Sequence, residues 1–180
     1  MAIGQDELER KLSNLHWTAR SGIFYHQYLS KRYAFCTRLV LFLNVALSGA
    51  AVINIVTNQY PKTALLIPIL LAILNALSLV LDPSNKMAIH EGLARDWRIQ
   101  DNEIEALKFN MSFDENLEIR NAILSFMQNF AQIDAREPPT IRIVSEWASD
   151  KAAHVLDLDK PALGKIRRLI VEMIDTLQFI

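Results

Sequence analysis

Between residues 39 and 81 the chain carries one formally charged side chain, Lys62, and this restricts its fold more than any other feature. A soluble domain of 180 residues does not leave such a stretch uncharged. The overall composition, 51% hydrophobic and 22% charged, resembles an ordinary globular domain only because the average hides where the apolar residues lie. With 5 Gly, 6 Pro and a high apolar content, collagen-like, fibrous and wholly disordered chains are excluded. The single Cys36 cannot pair within the chain, which excludes a disulfide scaffold and fits a reducing compartment.

The uncharged stretch divides into two membrane-length runs. Residues 39–60 read LVLFLNVALSGAAVINIVTNQY. At 1.5 Å per residue, about 20 of these cover a hydrocarbon core of about 30 Å. Residues 63–81 read TALLIPILLAILNALSLVL and have a similar reach. Between them Asn58, Gln59, Tyr60, Pro61 and Lys62 make a short polar break. Neither run shows the alternation of a barrel strand, so the sequence predicts a helical hairpin with spans at 39–57 and 63–81. Two buried helices of a large soluble core are the competing arrangement. A cleavable signal peptide fits less well, because almost forty polar and amphipathic residues come first.

Charge is distributed unevenly along the chain. After Glu9 no acidic residue occurs until Asp82, whereas 17 of the 20 acidic and 12 of the 19 basic residues lie from Asp82 onward. Cations beside a long apolar run point to anionic lipid headgroups before nucleic acid, for which no motif is present. Lys31, Arg32 and Arg38 are the candidate headgroup contacts. Arg20, Lys31, Arg32, Arg38, Lys86, Arg95 and Arg98 flank the hairpin on its termini side, against Lys62 alone in the turn. The bias predicts a multi-pass protein of the inner (plasma) membrane with both termini cytoplasmic.

Outside the hairpin the expected fold class is all-α: a cytoplasmic amphipathic and basic helix over 1–38 and a helical bundle over 82–180. Leu8, Leu12 and Leu15 recur at helical spacing. Phe24, Tyr25, Tyr28, Tyr33 and Phe35 lie among cations as interfacial residues do, and the helix can run on into the first span with Gly22 as its weakest point. Asp82 and Pro83 precede a helix from about 86 to 108. Ser112 and Glu115 suit a capping box for a helix bearing Ile119, Ile123, Phe126, Met127, Phe130 and Ile133. Residues 140–155 read as helical although TIRIV alternates like a strand. Asp159 and Pro161 suit the start of a last helix, with Leu163, Ile166, Ile170, Met173, Ile174 and Leu177 on one face.

Chemistry-bearing patterns are sparse. His16, His26, His90 and His154 are scattered singly, with no HExxH pair or Cys-His cluster. His90 and Glu91 are neighbours on a helix and point about 100° apart, so a surface helix is the simpler setting for them. No phosphate-binding loop, dinucleotide fingerprint or nucleophile elbow occurs, and the expectation is no catalytic residue, no metal and no cofactor. A glycosylation acceptor at Asn110–Ser112 is formal only, given the cytoplasmic orientation. Polar residues inside the spans are more informative: Asn44, Ser48 and Asn54 in the first, Asn75 and Ser78 in the second. Amides in hydrocarbon need partners. Asn44, Ser48 and Ala51 share a stripe, and Ala72 and Ala76 make a small-xxx-small face beside Asn75. These side chains either glue the two helices together or, with several chains assembled as a homo-oligomer, line an aqueous path. No carboxylate lies within the spans to serve a proton pump or ion-coupled transporter.

An aromatic and basic helix entering a first span, a tight turn, a second span and then MAIHEGLARDWRI at residues 87–99 together resemble the SLATT families, the SMODS and SLOG-associating two-transmembrane effector domains. Arg20, Tyr25, Tyr28, Lys31, Arg32 and Tyr33, both spans, and His90, Ala94 and Trp97 carry the resemblance, which covers roughly residues 10–108. It implies a non-enzymatic bacterial membrane effector that oligomerises and forms a pore or breaches the membrane in antiphage defence. The chain has no sensor sequence of its own, so the resemblance implies a separate nucleotide-signalling or nucleotide-sensing partner. The tail after Met111 falls outside it. A membrane-anchored scaffold, in which the hairpin only tethers a helical interaction domain, is the alternative.

Overall fold

A computed structural model describes residues 5–57, 61–110 and 116–158. Five helices account for nearly all of them, and there is no strand among the described residues: α1 (Gln5–Thr57), α2 (Pro61–Leu81), α3 (Pro83–Asn110), α4 (Asn116–Asp134) and α5 (Arg142–Val155). The described residues are all-helical, as the periodicity predicts. Of the predicted polar break, residues 58–60 lie outside the described residues, as do the capping box at Ser112 and Glu115 and the final amphipathic segment after Asp159; Pro61 and Lys62 begin α2 instead of separating it from α1.

Two compact units divide the chain, one made of residues 1–28 with 90–180 and the other of residues 29–89. In the first, a shared core takes Leu8, Leu12, Ala19 and Ile23 from α1 and Leu93, Trp97 and Ile104 from α3. Ile119, Ile123, Phe126, Phe130 and Ile133 from α4 complete it. The i, i+3, i+4 spacing of these residues puts one apolar stripe on each helix, which is why three amphipathic segments close on one another. Val144, Trp147, Ala148, Ala152 and Ala153 form the buried face of α5, and Trp147 lies 5.2 Å from the Tyr28 ring of α1. Helix α3 is a wall of this bundle, as the sequence suggests, and so is the front of α1. That role for α1 displaces Tyr25 and Tyr28 from the lipid interface expected of them: they are 5% and 3% exposed inside the bundle.

The strand-like alternation of TIRIV ends in a helix. Ile141 is extended (φ −87°, ψ 106°) and precedes α5, and its N–H donates to the Tyr25 hydroxyl at 2.9 Å. That bond fixes the entry of α5, and tertiary packing overrides a short alternating run.

In the second unit, α1 continues without a break through residues 29–57, and α2 follows. Asp82 joins α2 to α3 with φ 41°, a left-handed conformation that Asp tolerates better than branched residues. Its carboxylate accepts the Asn85 N–H at 3.3 Å, so it caps α3, with Pro83 at the first helical position, where a missing N–H costs nothing. The most apolar windows in α1 and in the α2–α3 stretch are long and apolar enough to cross a membrane, and are 0% and 6% buried. Leu41, Phe42, Val45, Val52, Ile53, Leu66, Leu70, Ile73, Leu77, Leu79 and Val80 are all exposed by more than half. The same outward apolarity in water is unfavourable by about 25 cal/mol per Å².

Candidate functional site

The side chains predicted from the hairpin fall into two groups. Asn44 and Ser78 are half-buried, whereas Ser48 and Asn75 are exposed; Asn54 lies in α1, and its side chain is not described. No hydrogen bond joins any two of the four described side chains. Ala72 and Ala76, beside Asn75, also face outward, and a Cβ built on Gly49 meets nothing within 4 Å. Ser48, Gly49, Ala72, Asn75 and Ala76 are therefore exposed, whereas Asn44 and Ser78 are partly covered. Among the cations, Lys31 and Arg38 are exposed and Arg32 is half-buried.

The histidines give the larger surprise. Three of the four, scattered singly in the sequence, are buried in the helical unit, at 5% exposure for His16, 0% for His26 and 3% for His90; His16 and His26 contact carboxylates, and His90 contacts His26. The surface setting expected for His90 is thereby corrected. The i, i+4 and i, i+7 relations that place His26 and His90 on inward faces belong to two helices separated by the hairpin, and no local window reveals their meeting.

One cluster couples α1 to the middle of α3. Arg20 Nε donates to Asp101 Oδ1 at 3.0 Å, and Arg20 Nη2 lies 2.7 Å from Asp101 Oδ2, a side-on bidentate pair. Arg20 also pairs with Glu105. Lys108 Nζ donates to His16 Nδ1 at 2.9 Å, and His16 Nε2 lies 3.2 Å from Asp101 Oδ1 and 3.3 Å from Arg20 Nη2. Burial pushes the Asp101 carboxyl upward, but the hydrogen bonds and charges of His16 and Arg20 outweigh it and hold the group below its usual range. Burial likewise acts to lower the Arg20 guanidinium, and Asp101 and Glu105 raise it overall. For Lys108, burial prevails over the nearby carboxylates and lowers the ammonium. His16, Asp101 and Glu105 offer ligand atoms within 4.8 Å of one another, spacing that suits a cation. Arg20 and Lys108 already lie on these same groups, so the set is electrostatically filled by the protein's own cations.

The second cluster sits close to the points where α1 leaves the unit and α3 enters it. His26 Nε2 donates to Glu137 Oε1 at 2.8 Å, and Trp97 Nε1 donates to the same oxygen at 2.8 Å. On the other side of the ring, His26 Nδ1 faces His90 Nδ1 at 2.8 Å. Burial, reinforced by the charge of His26 and opposed by Glu137, lowers His90 to about 4. Burial would raise Glu137, yet its bonds from His26 and Trp97 keep it low. Beside these groups a cleft of about 210 Å³ is lined by Ser21, Gly22, Trp97, Asp134 and Glu137 among others. Burial and then the charge of Glu137 raise the Asp134 carboxyl.

No protein-family model, curated protein or solved structure matches the chain.

Proposed function

We propose that the protein is a non-enzymatic membrane effector whose α1–α2 hairpin spans a lipid bilayer and assembles with further copies of itself. In this reading the helical unit and both termini lie in the cytoplasm of a bacterium, and the hairpin belongs to the inner membrane. Assembly forms a pore or disrupts the bilayer in antiphage defence, as in the SLATT families the sequence resembles, after a separate sensor protein signals. One observation carries the reading: Ser48 and Asn75 face outward from apolar helices whose other outward side chains suit lipid. A hydrogen-bonding amide directed into hydrocarbon is unfavourable, and neighbouring copies or an aqueous path relieve that cost. The outward Ala72 and Ala76 support the close approach of another helix. Two helices alone cannot enclose a pore, so permeability requires several chains.

The test is leakage. In induced cells, a membrane-impermeant dye is expected to enter upon activation, by phage infection or by the sensor. Asn75→Leu should reduce entry several-fold while leaving the protein in the carbonate-resistant membrane fraction, with Asn44→Leu weaker because that side chain is half-buried. Unchanged permeability under every activating condition removes the pore. Extraction by carbonate into a monodisperse, detergent-free state removes the membrane reading itself.

A tethering scaffold is the second reading, favoured by the helical unit having its own core drawn from α1, α3 and α4. Replacement of residues 39–81 by an unrelated two-span hairpin separates the two. Function survives the exchange if the hairpin is a tether and is lost if the hairpin is the effector.

A further inference from the structure

We propose that His26, His90 and Glu137 form a proton-operated latch, holding α1, α3 and the α4–α5 connection together at neutral pH and releasing them when both imidazoles are protonated. Geometry imposes the two-state behaviour. Trp97 and His26 both donate to Glu137 Oε1, so His26 Nε2 carries a proton and its Nδ1 is the atom left to meet His90. At 2.8 Å between the two Nδ1 atoms, one proton lies between them. It belongs to His90 with His26 neutral, or to a His26 imidazolium with His90 accepting. A second proton places N–H against N–H at a distance where one must leave, and puts two cations beside one carboxylate. His26 is fully buried, and His90 nearly so, so neither ring can turn to water without movement of the helices.

The surroundings define which groups respond. From α1, the Tyr25 ring stands edge-on to His26 at 4.9 Å and to His90 at 6.4 Å, with its hydroxyl occupied by the Ile141 N–H. From α3, Trp97 contributes a donor that does not titrate. The α4–α5 connection brings Glu137, and the end of α4 brings Asp134, whose carboxyl is already raised by burial and by Glu137. At the entry to α5, the Ile141 backbone N–H donates to the Tyr25 hydroxyl, and Ser145, Ala148 and Ser149 of α5 line the cleft beside Trp97 and Glu137. Glu137, which accepts from His26, would face both imidazoliums of a doubly protonated pair.

The sign follows from His90 being held below its free value. The unfolded or opened chain takes up the proton at the ordinary imidazole value of 6.5, the closed chain only at about 4. Stabilisation by the closed cluster is full above the free imidazole value and is lost as pH falls between the two. The device deepens the proposed function as a regulator of the helical unit, and it rests on that reading only for its effect on permeability.

The full chain in nanodiscs provides the test, because all 3 tryptophans (Trp17, Trp97 and Trp147) lie in the helical unit and report on its packing by near-ultraviolet circular dichroism. The parent is expected to lose this signal reversibly between about pH 6.5 and about pH 4. His90→Asn keeps a hydrogen-bonding atom near the Nδ1 position without a titrating ring, and should move the midpoint down by roughly a pH unit. Glu137→Gln removes the counter-charge and should move it up by roughly half a unit or more. His154→Asn, at an exposed site, is the control and should change nothing. Nitrogen-15 NMR of histidine in the parent stands independent of any variant folding: protonation of His90 is expected to coincide with loss of the tryptophan signal. A doubly protonated pair with that signal intact overturns the latch, as does a parent midpoint that neither variant moves. Dye-loaded vesicles report separately. Opening at low pH without leakage upholds the latch and removes its coupling to a pore.

Discussion

Replacing Gly22 with leucine is expected to cost the helical unit more than about 3 kcal/mol, and replacing it with alanine about 1–3 kcal/mol, because the Trp97 indole already occupies the space. A Cβ built on Gly22 lies 2.7–2.8 Å from three atoms of that ring system. The indole cannot easily retreat. It is 2% exposed, meets Phe130 edge-on at 4.7 Å and is tied through Nε1 to Glu137. Helix propensity pulls the other way, since alanine is favoured over glycine in a helix interior by about 1 kcal/mol. The steric term prevails only while Trp97 stays in place. The measurement is therefore a cycle: urea or thermal unfolding of the full chain in nanodiscs, followed by tryptophan ellipticity, with Gly22→Ala made alone and in a Trp97→Leu background. In the second background the alanine should be neutral or stabilising, with coupling above about 1 kcal/mol. Equal effects in both backgrounds would mean that the close approach of α1 to Trp97 is not what fixes glycine here.

Gly22 also marks how far the sequence could be read. As a residue of low helix propensity within α1, it looks like a weak point between the front of the helix and the first span. In the structure it is instead where α1 packs against the Trp97 indole of α3, because the absence of a side chain makes room for that ring. Length and charge made the hairpin legible, since a run without ions is a property of consecutive residues. Helical spacing made Ile119, Ile123, Phe126 and Phe130 legible as a buried face, and all four are in the core. Partnerships across the hairpin were not legible. His26 meets His90 across 64 positions, and Arg20 meets Asp101 across 81. Each has an unremarkable local sequence, and no spacing rule relates residues on helices that a whole hairpin separates. Tyr25 and Tyr28 look interfacial in the sequence, because aromatic residues among cations suit lipid headgroups and buried rings alike, and the contacts with Ile141 and Trp147 decide between them.

Asp101 is the residue whose loss should most disturb the polar face between α1 and α3. Its side chain is 6% exposed and receives Arg20, itself 20% exposed, through both carboxylate oxygens, with His16 as a third contact. Asp101→Leu leaves the guanidinium with Glu105 alone, and Glu105 is 53% exposed and correspondingly hydrated. Removal of one partner of a buried pair strands the other charge, so the expected loss is about 3–5 kcal/mol in the same nanodisc unfolding experiment. Arg20→Met alone should also destabilise. The double variant Arg20→Met with Asp101→Leu should recover much of the loss, because two apolar side chains of similar reach remove the stranded charge and add contacts to the neighbouring core. Acid distinguishes this cluster from the histidine pair. The Asp101 carboxyl is held below its ordinary value, so its contribution is fully present above the free carboxylate value of 3.8 and is lost as pH falls through the lowered one. That window lies below the range between the free and folded values of His90, 6.5 and about 4. In the parent, loss of tryptophan ellipticity on acidification should therefore begin with the histidine pair, and Asp101→Asn should lower stability at neutral pH while leaving that first acid midpoint in place. A midpoint that moves with Asp101→Asn would instead place both clusters in one cooperative network along α1 and α3.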